Sequence, residues 1–317
     1  MIGERTVEGF EALVIASESG DLDATFVPAA GMVGCSLRHR GEELLGRRRG
    51  LRAYATERST MGIPLLHPWA NRLGSERFTV AGRELRLDLD SLPLNRDPAG
   101  LPIHGLLAGE RGWRVERHEP VSGGALLAAG FDFGADEALL RAFPFAHELR
   151  VEARVEGSAL TVATTVRASG EQAVPIAFGF HPYLLLPGVD RREWEIEVPV
   201  RERLALDASL LPTGERGPAS VEPGPLGART FDDAYVAPPD AAPLALAGGG
   251  RRIEVRLGSG YPYTQLYAPA DDDVVAFEPM TAPTNALVSG GSVLQVIAPG
   301  ERYEAEFSIA VSGAERS

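Results

Sequence analysis

Lysine is absent from this chain of 317 residues, so all 31 of its basic side chains are arginines. Without a lysine amine no imine can form with a carbonyl substrate, and Schiff-base catalysis is excluded. Cysteine occurs once, as Cys35 in an apolar run. That rules out an internal disulfide and any multi-cysteine metal site, and marks the thiol as a buried filler. No segment approaches the ~18 uninterrupted apolar residues of a helical membrane span. The opening MIGERTVEGFEALV carries acids and no apolar core, unlike a signal peptide. These absences point to a soluble, cytoplasmic protein. Positive charge is also in deficit. A net charge of −13 argues against nucleic acid or a membrane as partner. The short clusters Arg47-Arg48-Arg49 and Arg191-Arg192 read as solvated turns.

Helical periodicity is scarce as well, with a single helical turn expected near Asp136–Arg141. What is present is short alternating runs punctuated by 36 glycines and 24 prolines. Leu149, Val151, Ala153 and Val155 alternate with Arg150, Glu152 and Arg154, as a half-buried antiparallel strand should. Trp194, Ile196 and Val198 alternate with Glu193, Glu195 and Glu197 in the same way. Phe78–Val80 and Glu84–Leu89 read as a hairpin with Leu85, Leu87 and Leu89 on one side. Pro212–Gly227 reads as a loop within the domain, because strand patterning resumes beyond it. Many short strands with frequent turn signals predict an all-β protein, a large antiparallel β-sandwich or barrel forming one domain over residues 1–317.

Polar residues stand out where apolar runs stop. The run Ile176–Pro187, IAFGFHPYLLLP, has His181 at its centre. Pro182 removes a ladder donor and biases His181 to extended backbone, which places the imidazole at a strand end. There it can exchange a proton near neutral pH, or simply be satisfied by a carbonyl. VVAFEP puts Glu278 at the end of another apolar run, and a buried carboxylate is costly unless paired or functional. GIPLLHPWANRLG offers Asn71 and Arg72, an amide and a donor fork suited to a polyol. LPIHG places His104 before Gly105, a site of close backbone approach or a bulge. FDDAY offers Asp232 and Asp233, and TQLY buries Gln265, whose amide needs a partner. The six histidines form no HxH or HExxH pattern, and no nucleophile elbow, Walker loop or dinucleotide fingerprint occurs. A histidine–glutamate acid–base pair with hydrogen-bonding company remains.

Taken in order, ANR, HG followed by a Trp, FGFHPY, FDDAY, TQLY and FEPMTAPTNAL resemble the aldose 1-epimerase (galactose mutarotase) family along nearly the whole chain. The resemblance implies a galactose mutarotase-like β-sandwich with a sugar cleft across one sheet, and no metal or cofactor. It implies Glu278 as general base, His181 as general acid and His104 as a second active-site histidine. Asn71, Arg72, Tyr183, Asp232 and Gln265 would bind the substrate, Asp232 being favoured over Asp233 by its distance from Tyr235. The implied function is interconversion of the α and β anomers of a free aldohexose by a monomer or homodimer. For that chemistry Glu278 is expected to be ionised and His181 protonated. A hexose-6-phosphate 1-epimerase, with Arg38, Arg40 or Arg77 at the cleft rim beside Arg72, and a non-catalytic carbohydrate-binding protein are the alternatives.

Overall fold

The computed structural model describes residues 1–88, 94–238, 240 and 242–313. Its frame is two antiparallel sheets. One has nine strands, in the order Arg114–Val121, Gly124–Asp132, His147–Glu156, Ala159–Ala168, Arg302–Gly313, Arg251–Leu257, Leu244–Gly248, Glu195–Glu197 and Gly224–Pro225. The other has seven, in the order Pro212–Pro218, Glu202–Leu206, Phe231–Val236, Tyr263–Ala268, Ala276–Met280, Gly179–Phe180 and Leu65–Leu66. A separate five-stranded sheet, Ile2–Val7 through Glu42–Glu43, precedes them.

Alternation explains why these segments pair as they do. His147–Glu156 is buried at every second residue, and its partner Ala159–Ala168 repeats the pattern in register, with Val151 opposite Thr164. The apolar faces meet between the sheets: Phe180 of the seven-stranded sheet lies 5.1 Å, ring to ring, from Phe307 of the nine-stranded one. Leu266 and Phe277 share one core cluster with Val255 and Ile309. Burying a side chain of this size contributes roughly 1.5–3 kcal/mol, and the cluster contains dozens.

Several expectations need correction. Pro212–Pro218 is an exposed edge strand, not loop: the prolines stand at its two ends and the residues between them pair with Glu202–Leu206. A helix, Gly50–Glu57, was not anticipated; Leu51 and Tyr54, one turn apart, are its buried anchors. The expected turn near Asp136 is the helix Glu137–Ala142, capped by the Asp136 side chain. In the hairpin Leu85 and Leu87 are buried together, while Leu89 lies outside the described residues. Cys35 is fully buried, and burial pushes its thiol up to about 11. No helix among the described residues is long and apolar enough to cross a membrane.

Candidate active site

Register puts four polar side chains on one face of the seven-stranded sheet. Gln265 sits opposite Glu278 in the ladder, and Asp232 opposite Tyr267. Paired residues in an antiparallel ladder share a face, and every second residue returns to it. Asp232, Gln265, Tyr267 and Glu278 therefore point away from the core that holds Leu266 and Phe277. The next strand, Gly179–Phe180, is brought against Ala276–Met280 by the pairing of Gly179 with Met280. A side chain at Gly179 would meet the Pro279 carbonyl at 2.5 Å, so glycine permits the approach. Directly after it, the chain carries His181 to Glu278, with Nε2 3.2 Å from Oε1. Both side chains are buried.

The remaining residues come from two loops that zip together. His67 bridges to Gly105 and Arg72 to Ile103, and the His104 amide donates to the Asn71 carbonyl at 3.0 Å. Gly105 has φ of 70°, and a Cβ there would stand 2.2 Å from the His67 carbonyl oxygen. Asn71 and His104 themselves hold left-handed φ values of 59° and 67°, conformations that cost energy outside glycine and persist where surroundings enforce them. The guanidinium of Arg72 is held on three sides. It donates to Asp97 at 2.9 Å, to the Asn71 side chain at 3.0 Å and to Asp232 at 3.3 Å. Gln265 in turn donates to the other oxygen of Asp232 at 2.6 Å.

An open cleft of about 400 Å³ is walled by Asn71, Arg72, His104, His181, Tyr183, Asp232, Tyr267 and Glu278, with Arg48, Thr60 and Asp97 around them. Its floor carries buried polar atoms with no protein partner: Glu278 Oε2, His181 Nδ1 and His104 Nδ1. Unsatisfied groups of this kind cost free energy unless something else completes them, and here they converge on one cleft where a polar ligand could do so.

A family model described as Aldose 1-epimerase matches residues 35–310. The chain belongs to the aldose 1-epimerase family. Rat galactose mutarotase is 30% identical over 153 residues, which cover 47% of this chain and 40% of the rat protein. The match thus spans less than half of that relative. The fold is shared with a galactose mutarotase-like protein from Clostridium acetobutylicum (TM-score 0.85, 16% identity, 99% of each chain). It is shared also with galactose 1-epimerase from Lactobacillus acidophilus (TM-score 0.77, 13% identity, 99% of each chain).

In this aldose 1-epimerase family member, the residues singled out from the sequence converge on the cleft, with differences in detail. Asp232 lines it, whereas Asp233 turns away to pair with Arg203. Gln265 does not form the cleft wall; it stands behind Asp232 and orients it. The rim arginines are not those expected. Arg38 pairs with Asp23 in the N-terminal sheet, Arg40 approaches Asp21 there, and Arg77 lies in the strand Arg77–Val80. Arg48, Arg49 and Arg96 stand at the cleft instead. Arg48, read as a solvated turn residue, bonds the Tyr183 hydroxyl and lies over its ring. A three-arginine run carries no signal that distinguishes its middle member, so only the fold could reveal it. His67 faces elsewhere, bonded through Nε2 to His147 at 2.7 Å.

The electrostatics also depart from expectation. Burial, reinforced by Asp232, pushes the Glu278 carboxyl well up, with Arg72 opposing. Burial, reinforced by His104 and Arg48, pushes the His181 imidazole well down. His104 is pushed down to about 3 by burial and by Arg72 and Arg48, so it is a neutral imidazole. Both shifts run against the ionised pair expected. The physical reason is that both groups are almost wholly buried, and desolvation penalises charge on each.

Proposed function

We propose that the protein interconverts the α and β anomers of a free, uncharged aldohexose by ring opening and closure. The observation that carries this reading is the contact of His181 with Glu278 at the floor of a polar cleft. The pair holds one proton between two groups 3.2 Å apart. Ring opening needs an acceptor at the C1 hydroxyl and a donor at the ring oxygen. Hydrogen bonds made by a sugar hydroxyl to the free Glu278 oxygen favour the carboxylate, and the proton then resides on His181. Glu278 takes the O1 proton, the C1–O5 bond breaks with its electrons to O5, and His181 protonates O5. Both groups are now neutral.

That neutral pair is the one burial prefers. The open-chain sugar, the high-energy species of the reaction, is thus matched with the protein's favoured protonation state. After rotation about C1–C2 the transfers run backwards: His181 withdraws the O5 proton and Glu278 returns one to O1 on the other face. Arg72, Asn71 and Asp232 hold the hydroxyls, and neutral His104 can donate to a sugar oxygen. Positioned acid–base groups supply about 10²–10⁴-fold, ample for a reaction that already proceeds in water.

The charges of the cleft favour an unphosphorylated sugar. Of the four arginines at the cleft, Arg48 pairs with Asp272, Arg49 with Glu57, and Arg72 with Asp97 and Asp232. A phosphate would have to displace a carboxylate to claim any of these three. The test is polarimetry on freshly dissolved α-anomers of free aldoses and coupled assay on glucose 6-phosphate. Acceleration confined to free aldoses is expected. Equal or better turnover of the phosphate, or sugar binding without faster equilibration, would replace this reading with the sugar-phosphate or carbohydrate-binding one.

A further inference from the structure

Arg48 has no role in the proton transfers just described, yet it is tied to the groups that perform them. Its Nε meets Asp272 at 3.0 Å, on a loop remote in sequence. Its Nη1 donates to the Tyr183 hydroxyl at 3.2 Å, and its guanidinium carbon lies 5.1 Å over the Tyr183 ring. The same hydroxyl is bonded to Thr60 at 2.6 Å. The Tyr183 ring then stacks on His181, with centroids 4.0 Å apart and planes 17° from parallel. Three contacts thus fix a tyrosine whose face forms one wall against the imidazole.

We propose that Arg48 is a positioning residue. Clamped between Asp272 and Tyr183, it holds the Tyr183–His181 stack in place and sets, through its charge, how readily His181 keeps a proton. The proposal rests on the acid–base reading of the cleft. The groups facing His181 are Glu278 at 3.2 Å, His104 edge-on at 5.6 Å, Tyr183 in the stack and Tyr267 edge-on at 5.3 Å. When ionised, Glu278 draws a proton toward the imidazole, and Arg48 repels one. The contacts keep the guanidinium within about 9 Å of the imidazole. At that separation a unit charge shifts a titration by about 0.3–1.3 pH units for an effective dielectric of 80 down to 20. The burial of His181 favours the larger value. Arg48 thereby biases the pair toward the neutral form that matches the open-chain sugar.

The test uses Arg48→Met and Arg48→Lys in protein carrying ring-labelled histidine. The His181 resonance reports ring current from Tyr183 and its titration. In Arg48→Met we expect the resonance to move as the stack loosens, and the protonation of His181 to move upward by about 0.3–1.3 pH units. Arg48→Lys should restore the titration, since it keeps the charge, but not the ring-current position, since it lacks the fork over tyrosine. Polarimetry on the same samples should show a fall in kcat with KM changed less. A His181 resonance identical to wild type in position and titration overturns the proposal. These NMR results stand whether or not the wild-type protein turns over any sugar, so failure of the proposed activity is distinguishable from failure of this inference.

Discussion

Replacing Glu278 by glutamine tests the acid–base reading most directly. The amide preserves volume and can keep the 3.2 Å contact with His181, so what is lost is the capacity to accept a proton. A positioned base contributes about 10²–10⁴-fold, equivalent to about 2.7–5.5 kcal/mol of barrier. The structure argues for the upper half of that range. Glu278 is buried, so water cannot readily stand in for it, and the other nearby carboxylate, Asp232, is already engaged by Arg72 and Gln265. KM should change by less than roughly threefold, because the groups assigned to the sugar hydroxyls are untouched. The assay is the decay of optical rotation of a freshly dissolved α-aldose, corrected for the spontaneous rate. A rate within a few-fold of wild type would refute the reasoning. Stability should move oppositely. A carboxyl whose folded pKa is raised above 4.5 weakens the fold as pH rises past that value, since the unfolded chain ionises first. Glu278→Gln removes this cost, and its urea midpoint at pH 7 should exceed that of wild type.

The buried histidines predict acid sensitivity. His67 and His181 are held well below 6.5, His147 at about 4 and His104 at about 3, chiefly by burial. Their neutral forms support the fold fully above pH 6.5. That support is lost as pH falls, at up to about 1.4 kcal/mol per pH unit for each, with Glu278 opposing; urea midpoints that stay flat between pH 7 and 5 would contradict this. Gly105→Ala would force a methyl against the His67 carbonyl at a φ of 70°, so a loss of at least about 1–3 kcal/mol and displacement of His104 are expected in urea titrations and activity. Arg72→Lys keeps the charge but cannot reach Asp97, Asn71 and Asp232 together, and should raise KM about tenfold or more at near-normal stability.

Strand alternation, the apolar runs ending at His181 and Glu278, and the glycine after His104 were legible along the chain because each is a local property. A period of two needs only neighbouring residues, and the expense of a polar group at the end of a buried strand shows in its flanks. Asp232 and Asp233 differ by one position, which in a strand means opposite faces. The preference for Asp232 followed the resemblance, and the ladder to Tyr267 is what puts its side chain, not that of Asp233, at the cleft. The helix Gly50–Glu57 leaves little trace in the sequence, because its eight residues offer only two turns of apolar spacing amid charged neighbours.

The sequence alone determined that this is an all-β chain without lysine chemistry, with a histidine and a glutamate stranded at the ends of apolar runs. Tertiary structure decided everything that depends on distance. It brought residues 97 positions apart to 3.2 Å, set Gln265 behind Asp232 rather than in the cleft, and drew Arg48 out of an arginine run to stand over Tyr183. It also set the direction in which each member of the pair is shifted. Charge in a protein follows solvent exposure and near neighbours, and both are created only when the sheets close over their core.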